Sequence, residues 1–168
     1  MAGQGIFIGT AGWSVASRHR QDFAQDGTHL QRYAGRLGAV EVNSSFYRPH
    51  RRETYQRWAD SVPAAFRFSV KLPRTITHER RLKDCASALD EFFEQTAGLG
   101  EKLGVVLVQL PPSLRFEAPV AAAFLAELRR RSETGLALEP RHASWFDGES
   151  EPLLQRWRVA RVAADPPP

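Results

Sequence analysis

The segment Glu139-Pro140-Arg141-His142-Ala143-Ser144-Trp145 puts a carboxylate, a guanidinium, an imidazole and an indole directly after the apolar run Leu136-Ala137-Leu138. A strand entering a core does not normally end in such a set. Similar endings recur along the chain: Glu41 and Asn43 in "AVEVN", Lys71 in "FRFSVKL", Gln109 in "GVVLVQL" and Asp165 in "VARVAAD". Glu41 and Glu139 could divide acid and base roles, provided their surroundings separate their pKa values. Glycoside hydrolysis uses such a pair. Lys71 could form a Schiff base if its neighbours lowered its pKa, or serve as a charge partner or anion contact. Arg141 offers a two-pronged fork for a carboxylate or phosphate. His142 has a second reading as a structural histidine. Trp13, Tyr47 and Trp145 each follow a strand end, where they could wall a pocket or simply pack. Glu41, Glu139, His142 and Asp165 form an oxygen and nitrogen set of the kind divalent ions accept. With one histidine near the ring and no HxH or HxxxH pair, no metal is assigned. No cofactor is named by the sequence.

These residues need elements to position them. Short apolar runs alternate with helical patterns: strands over 6–9, 39–43, 66–72, 104–110, 135–139 and 159–165. Between them, Thr28 caps a helix through Leu37, and Tyr55, Trp58 and Ala59 mark the next. Leu89, Phe92, Phe93 and Thr96 mark a third, with Cys85 inside its pattern. Pro119 occupies the first turn of a fourth, and Ser150-Glu151-Pro152 opens a fifth. The rhythm is a strand and a helix every thirty or so residues, the pitch of an eight-unit barrel. The expected fold is therefore α/β, a TIM-barrel-like repeat with about six of eight strands in a single domain over residues 1–168. The alternative is a doubly wound open parallel sheet. No glycine-rich dinucleotide loop follows any strand, and "GTAGW" has the wrong spacing for one.

Side chains alternate faces along a strand. Val40 and Val42, Phe68 and Val70, Val106 and Val108, Leu136 and Leu138, and Val162 and Ala164 then share an apolar face suited to packing under helices. The opposite face turns polar at its carboxyl end in five strands of six, which is where α/β sheets carry their sites. The expected ring is Glu41, Asn43, Lys71, Gln109, Glu139, Arg141 and Asp165. The competing reading is that strands emerging into solvent simply acquire polar residues.

Among 168 residues, 42% are hydrophobic and 25% charged, with net charge +4. The basic excess is arginine, since lysine occurs only at 71, 83 and 102. Arg129-Arg130-Arg131 closes a helix, where cations suit the dipole, so nucleic acid is a possible partner but not the favoured one. A single cysteine, Cys85, excludes an internal disulfide. The N-terminus reaches a strand too soon for a signal peptide, and no apolar run is long enough to span a membrane. The expectation is a cytoplasmic protein with a small-molecule ligand, its oligomeric state open.

The ordered set "IGTAGWS", "VEVNSSFYR", "FRFSVKLP", "ITHERRL", "LVQLPPS", "EPRHASWF" and "VAADP" resembles the YecE-like family, domain of unknown function 72, over essentially the whole chain from Ile6. The resemblance implies a TIM-barrel-like fold and an uncharacterised function. It also implies further βα units beyond this sequence, including a strand with an Arg-Leu-His-Gly type motif. It maps family motifs onto Gly9, Gly12 and Trp13; Glu41, Asn43 and Tyr47; Lys71; Gln109 and Pro111; Glu139, Arg141, His142 and Trp145; and Asp165. The expected function is acid–base catalysis on a small polar substrate, anionic or sugar-like, at the C-terminal face of the barrel. Its alternative is non-catalytic binding of a phosphorylated ligand or nucleic acid. Without the further units, the polypeptide is expected to be marginally stable or prone to aggregation.

Overall fold

Val40, Val42, Phe68, Val70, Val106, Val108, Leu136 and Leu138 are all buried, and they join the helices in one continuous core. That single-parity set is what organises the sheet in the computed structural model, which describes residues 5–165; the proline run at 166–168 lies outside them. The strands are β1 (Gly9–Ala11), β2 (Ala39–Val42), β3 (Arg67–Lys71), β4 (Leu103–Gln109), β5 (Gly135–Glu139) and β6 (Val159–Arg161). They pair in sequence order, and every pair is parallel. This is the succession of a barrel, not that of a doubly wound sheet, whose order doubles back beside its first strand. β1 and β6 do not pair with each other, so the sheet is open.

The helices are α1 (His29–Ala34), α2 (Arg52–Asp60), α3 (Ala86–Thr96), α4 (Ala118–Arg131) and α5 (Ser150–Arg156). Leu30 and Tyr33, Tyr55 and Ala59, Leu89 and Phe92, Phe124 and Leu128, and Leu154 turn inward from them onto the apolar sheet face. Thr28 closes a full capping box with Gln31 at the start of α1, and Pro119 sits in the first turn of α4, as their chemistry demands. Arg131 ends α4 by pairing with Asp90 on α3 at 2.7 Å, so it ties two helices together as well as meeting the helix dipole. No helix among the described residues is long and apolar enough to cross a membrane.

Four local expectations change. β1 starts at Gly9 and not at Ile6: it pairs Gly9 with Ala39, where β2 begins, so Ile6–Ile8 have no strand beside them. Ile6 is 92% and Ile8 68% exposed. Helix α1 stops at Ala34, and Arg36 and Leu37 close the turn on the Tyr33 carbonyl. Cys85 precedes α3 as its capping residue. In β6 the parity is reversed, because Val159 pairs with Leu136 and Arg161 with Leu138, both on the helix side. The strand also ends there; Val162 adds one more ladder bond to Leu138.

Candidate functional site

The hydrogen-bonded rows of the sheet fix which inner side chains meet. Glu41 pairs with Ser69, and Ser69 with Val105. Lys71 stands one row nearer the C-terminal edge, beside Leu107 and then Ala137. Gln109 and Glu139 form the next row. Lys71 therefore occupies the row between those of the two carboxylates. Among the described residues its Nζ has neither a hydrogen bond nor a carboxylate within ion-pair distance. Lys71 is nonetheless only 8% exposed.

The loop after β2 supplies the floor. Ser45 Oγ stands 2.8 Å from the Val42 carbonyl oxygen and 2.7 Å from that of Lys71 and shares its single proton between them, which stitches the 3₁₀ turn Ser44–Phe46 to the end of β3. That bond holds the Phe46 ring under Lys71, whose Nζ lies 4.3 Å from the ring centroid, a cation–π contact. His78 meets the same ring edge-on at 4.9 Å. It comes from a π-helical turn, Thr75–Glu79, after β3, and the Thr77 hydroxyl sits 2.8 Å from its Nδ1.

Glu139, also 8% exposed, accepts from Gln109 Nε2 at 3.0 Å and is ion-paired with Arg141 through the same oxygen. Position 139 is the last of β5, and Arg141 lies two residues on, so the strand's alternation delivers both to one side. Burial and the neighbouring Glu139 push the Glu41 carboxyl above its ordinary range, with Lys71 opposing. Burial pulls the Lys71 ammonium below its ordinary range, against the pull of both glutamates and with help from Arg141. His78 is lowered by burial and by the charges of Lys71 and Arg74. Both shifts favour the neutral form of the group, the tendency on which acid–base work draws.

Of the expected ring, Glu41, Lys71, Gln109, Glu139 and Arg141 come together. Asn43 begins the Ser44–Phe46 turn with its Oδ1 buried and unbonded. Asp165 is exposed, four residues beyond the end of β6, and has no place in the ladder rows that carry the others. Trp145 does not wall a pocket: it is 1% exposed, packs on Phe116 and donates its indole N–H to the Leu114 carbonyl at 2.9 Å. His142 caps the short turn Ala143–Trp145, accepting from the Ser144 N–H at Nδ1, the structural role. Tyr47 is largely exposed. Trp13 stacks edge-on against Trp58 at 5.0 Å. Phe46 and His78 were not singled out as site residues; a histidine in the loop after a polar-ended strand was the available signal for the second. Among the described residues, no group of three or more His, Cys, Asp or Glu side chains could hold a metal ion. A cleft of about 500 Å³ lies between the Leu82–Ala86 segment and α4, on the helix side and away from the ring.

The family model for a protein of unknown function, DUF72, matches residues 7–168. The chain belongs to the DUF72 family. It is 32% identical over 153 residues to UPF0759 protein YecE of Escherichia coli strain K12, covering 90% of this chain and 54% of that protein. It is 27% identical over 147 residues to UPF0759 protein YunF of Bacillus subtilis strain 168, covering 84% and 52%. This DUF72 chain thus spans about half the length of the curated relatives it matches. A DUF72 protein of Enterococcus faecalis V583 superposes with a TM-score of 0.75 at 23% identity, over 93% of this chain and 59% of that one. One from Thermotoga maritima MSB8 gives 0.73 at 25%, over 93% and 63%. The α/β, TIM-barrel-like architecture is that of solved DUF72 proteins.

Proposed function

We propose that this DUF72 chain contributes the catalytic half-site of an acid–base enzyme acting on a small polar molecule, anionic or sugar-like, at the C-terminal face of the sheet. The observation that carries this reading is the pairing of a carboxyl pushed up, Glu41, with an ammonium pushed down, Lys71, in adjacent rows of one face. Structural ion pairs stabilise the charged forms of both partners; here burial favours the neutral form of each. Glu41 is the proton donor, Glu139 the proton acceptor held in place by Gln109, and Arg141 the contact for an anionic group. A cytoplasmic setting suits a chain with one cysteine, which is buried and unpaired.

The alternative, a nucleic-acid binder, draws less support. Arg129 is spent on the carbonyls of Thr134, Trp157 and Arg158, and Arg131 on Asp90 and Glu127. Neither belongs to a free basic stripe of the kind that phosphate backbones recruit.

The test is solvent deuterium exchange into carbon-bound positions of a panel of hydroxy acids, keto acids and sugar phosphates, followed by NMR. Exchange that falls about 10²–10⁴-fold in Glu41→Gln and Glu139→Gln is expected. Exchange with no dependence on either glutamate, or salt-sensitive oligonucleotide binding in its place, would sink the acid–base assignment.

A further inference from the structure

Among the described residues the Lys71 amine has neither a hydrogen bond nor an ion pair to account for its place. The chain has lysines at 71, 83 and 102, and the other two have evident uses. Lys83 is exposed and faces Glu117 at 3.8 Å. Lys102 reaches from β4's leading edge to donate to the carbonyls of Ala59 and Val62 at the end of α2. Lys71 does neither. It is buried against an aromatic ring, one row from each of two glutamates, without a bond to either. A lysine needed only for charge balance would close onto Glu41 or Glu139, whereas the Lys71 side chain is largely covered and its amine is left on the open face.

We propose that Lys71 is a nucleophile that forms an imine with the carbonyl carbon of an anionic aldehyde or ketone, Glu41 and Glu139 handling the protons. The inference rests on the acid–base reading of the same site, because both halves of imine formation require a proton donor and acceptor. The neutral amine adds to the carbonyl carbon. A nitrogen–carbon bond forms, and the carbonyl π pair moves to oxygen, which takes the Glu41 proton. The nitrogen proton passes to the Glu139 carboxylate. The carbinolamine hydroxyl then takes the proton back from Glu139 and leaves as water, while the nitrogen lone pair forms the carbon–nitrogen double bond of a protonated imine, with Glu139 a carboxylate again. The net change is carbonyl, amine and the Glu41 proton to protonated imine and water, with no oxidant or reductant. The adjacent carbon–hydrogen bond is thereby acidified, and Glu139 lies on the face to receive that proton. Arg141, beside Glu139, supplies the contact for the substrate's carboxylate or phosphate. Phe46 lies under Nζ and fixes where the amine stands.

The experiment is reductive trapping of the unmodified 168-residue chain with glyoxylate and cyanoborohydride, followed by peptide mass mapping. Reduction of the imine leaves a carboxymethyl group on whichever amine reacted. A lowered pKa raises an amine's neutral fraction at neutral pH, so Lys71 should be modified faster than Lys83 or Lys102. Its rate should also level off below pH 10.5, which a purely structural lysine would not do. Labelling at Lys71 no faster than at Lys83 overturns the proposal. Two arms separate it from the broader reading. No trapping at Lys71 in the unaltered chain, with deuterium exchange that survives in Lys71→Met, leaves the acid–base enzyme and removes the imine. Selective trapping at Lys71 that is indifferent to Glu41→Gln and Glu139→Gln keeps the nucleophile and removes the acid–base pair.

Discussion

At the scale of single residues, the site is a problem in desolvation. Burial is the leading influence on both Glu41 and Lys71, and it acts in opposite directions on an acid and a base. Each group's charge partly offsets the shift of the other. Glu41→Gln removes a negative charge that favours the ammonium, so the Lys71 pKa should fall further below its ordinary 10.5. NMR of labelled lysine side chains would resolve this readily, because Lys83 and Lys102 are the only other signals. An upward movement of the Lys71 pKa would mean that Glu41 does not act on it. A lowered lysine pKa also has a stability consequence of fixed sign. The unfolded chain binds that proton more tightly, so the cost is present below the folded pKa and disappears as pH rises through it towards 10.5. Trp145 is the contrasting residue, polar by handle but structural by position. Trp145→Phe keeps an aromatic ring of smaller volume and leaves the Leu114 carbonyl without its donor, the lost donor alone costing about 1–3 kcal/mol. Urea unfolding would register the loss, while trapping at Lys71 should stay at the wild-type rate. A change in trapping without a change in stability would restore Trp145 to the site.

The elements hold the ring by close contacts at their ends. The 3₁₀ stretch Ala97–Lys102 leads into β4 and lies against α2. Gly98 makes that approach possible: a Cβ there would stand 2.3 Å from the Arg52 carbonyl oxygen and 2.9 Å from the Gln56 nitrogen. Backbone atoms cannot swing aside as a long side chain can, so Gly98→Ala should act as overpacking and cost about 1–3 kcal/mol. Denaturant titration with an unaltered slope would check it, and a neutral result would mean that α2 can shift without penalty. The segment after β3 holds a different kind of tension. Following the π-helical turn, Arg81, Leu82 and Asp84 all adopt positive φ, at 51°, 69° and 52°. Non-glycine residues in that region are uncommon. The turn carries His78 back to Phe46 beneath Lys71, and the strained stretch then leads into α3.

For the whole molecule, the open sheet is the governing fact. β1 and β6 are the two edges, each three residues long, and short edges limit unwanted pairing. Against that, Ile6, Phe7 and Ile8 lie exposed just before β1, an apolar run adjoining unpaired backbone. The 168-residue polypeptide is therefore expected to self-associate: its light-scattering mass should rise with concentration, and Ile6→Lys with Ile8→Lys together should reduce that rise. A monodisperse monomer at all concentrations, unfolding in one cooperative step, would show that six strands suffice without cover. The same openness explains why the ring stands on an unwalled face and not in a closed chamber.

Much of this was present in the order of residue types. The βα rhythm and the apolar parity of Val40, Phe68, Val106 and Leu138 set the sheet's order and its buried face, because alternation along a strand is local geometry and burial of one face is the dominant driving force. The same parity was enough to bring Glu41, Lys71, Gln109, Glu139 and Arg141 together. It failed at the edges. Ile6–Ile8 look like a strand by composition, but a strand needs a partner, and β2 starts too late to provide one. In β6 the register with β5, which alternation alone does not reveal, put Arg161 on the helix side and left Asp165 outside. Trp145 and His142 have the chemistry of site residues, yet what surrounds an indole or an imidazole depends on segments some thirty positions away, such as Leu114, or on the fold of a turn, such as the cap at Ser144. Phe46 and His78 join Lys71 only because the Ser45 hydroxyl and a π-helical turn bend two loops onto one strand end. The sequence by itself determined which residues could face the site. Which of them do was decided by register and loop packing, since those depend on contacts between segments distant along the chain.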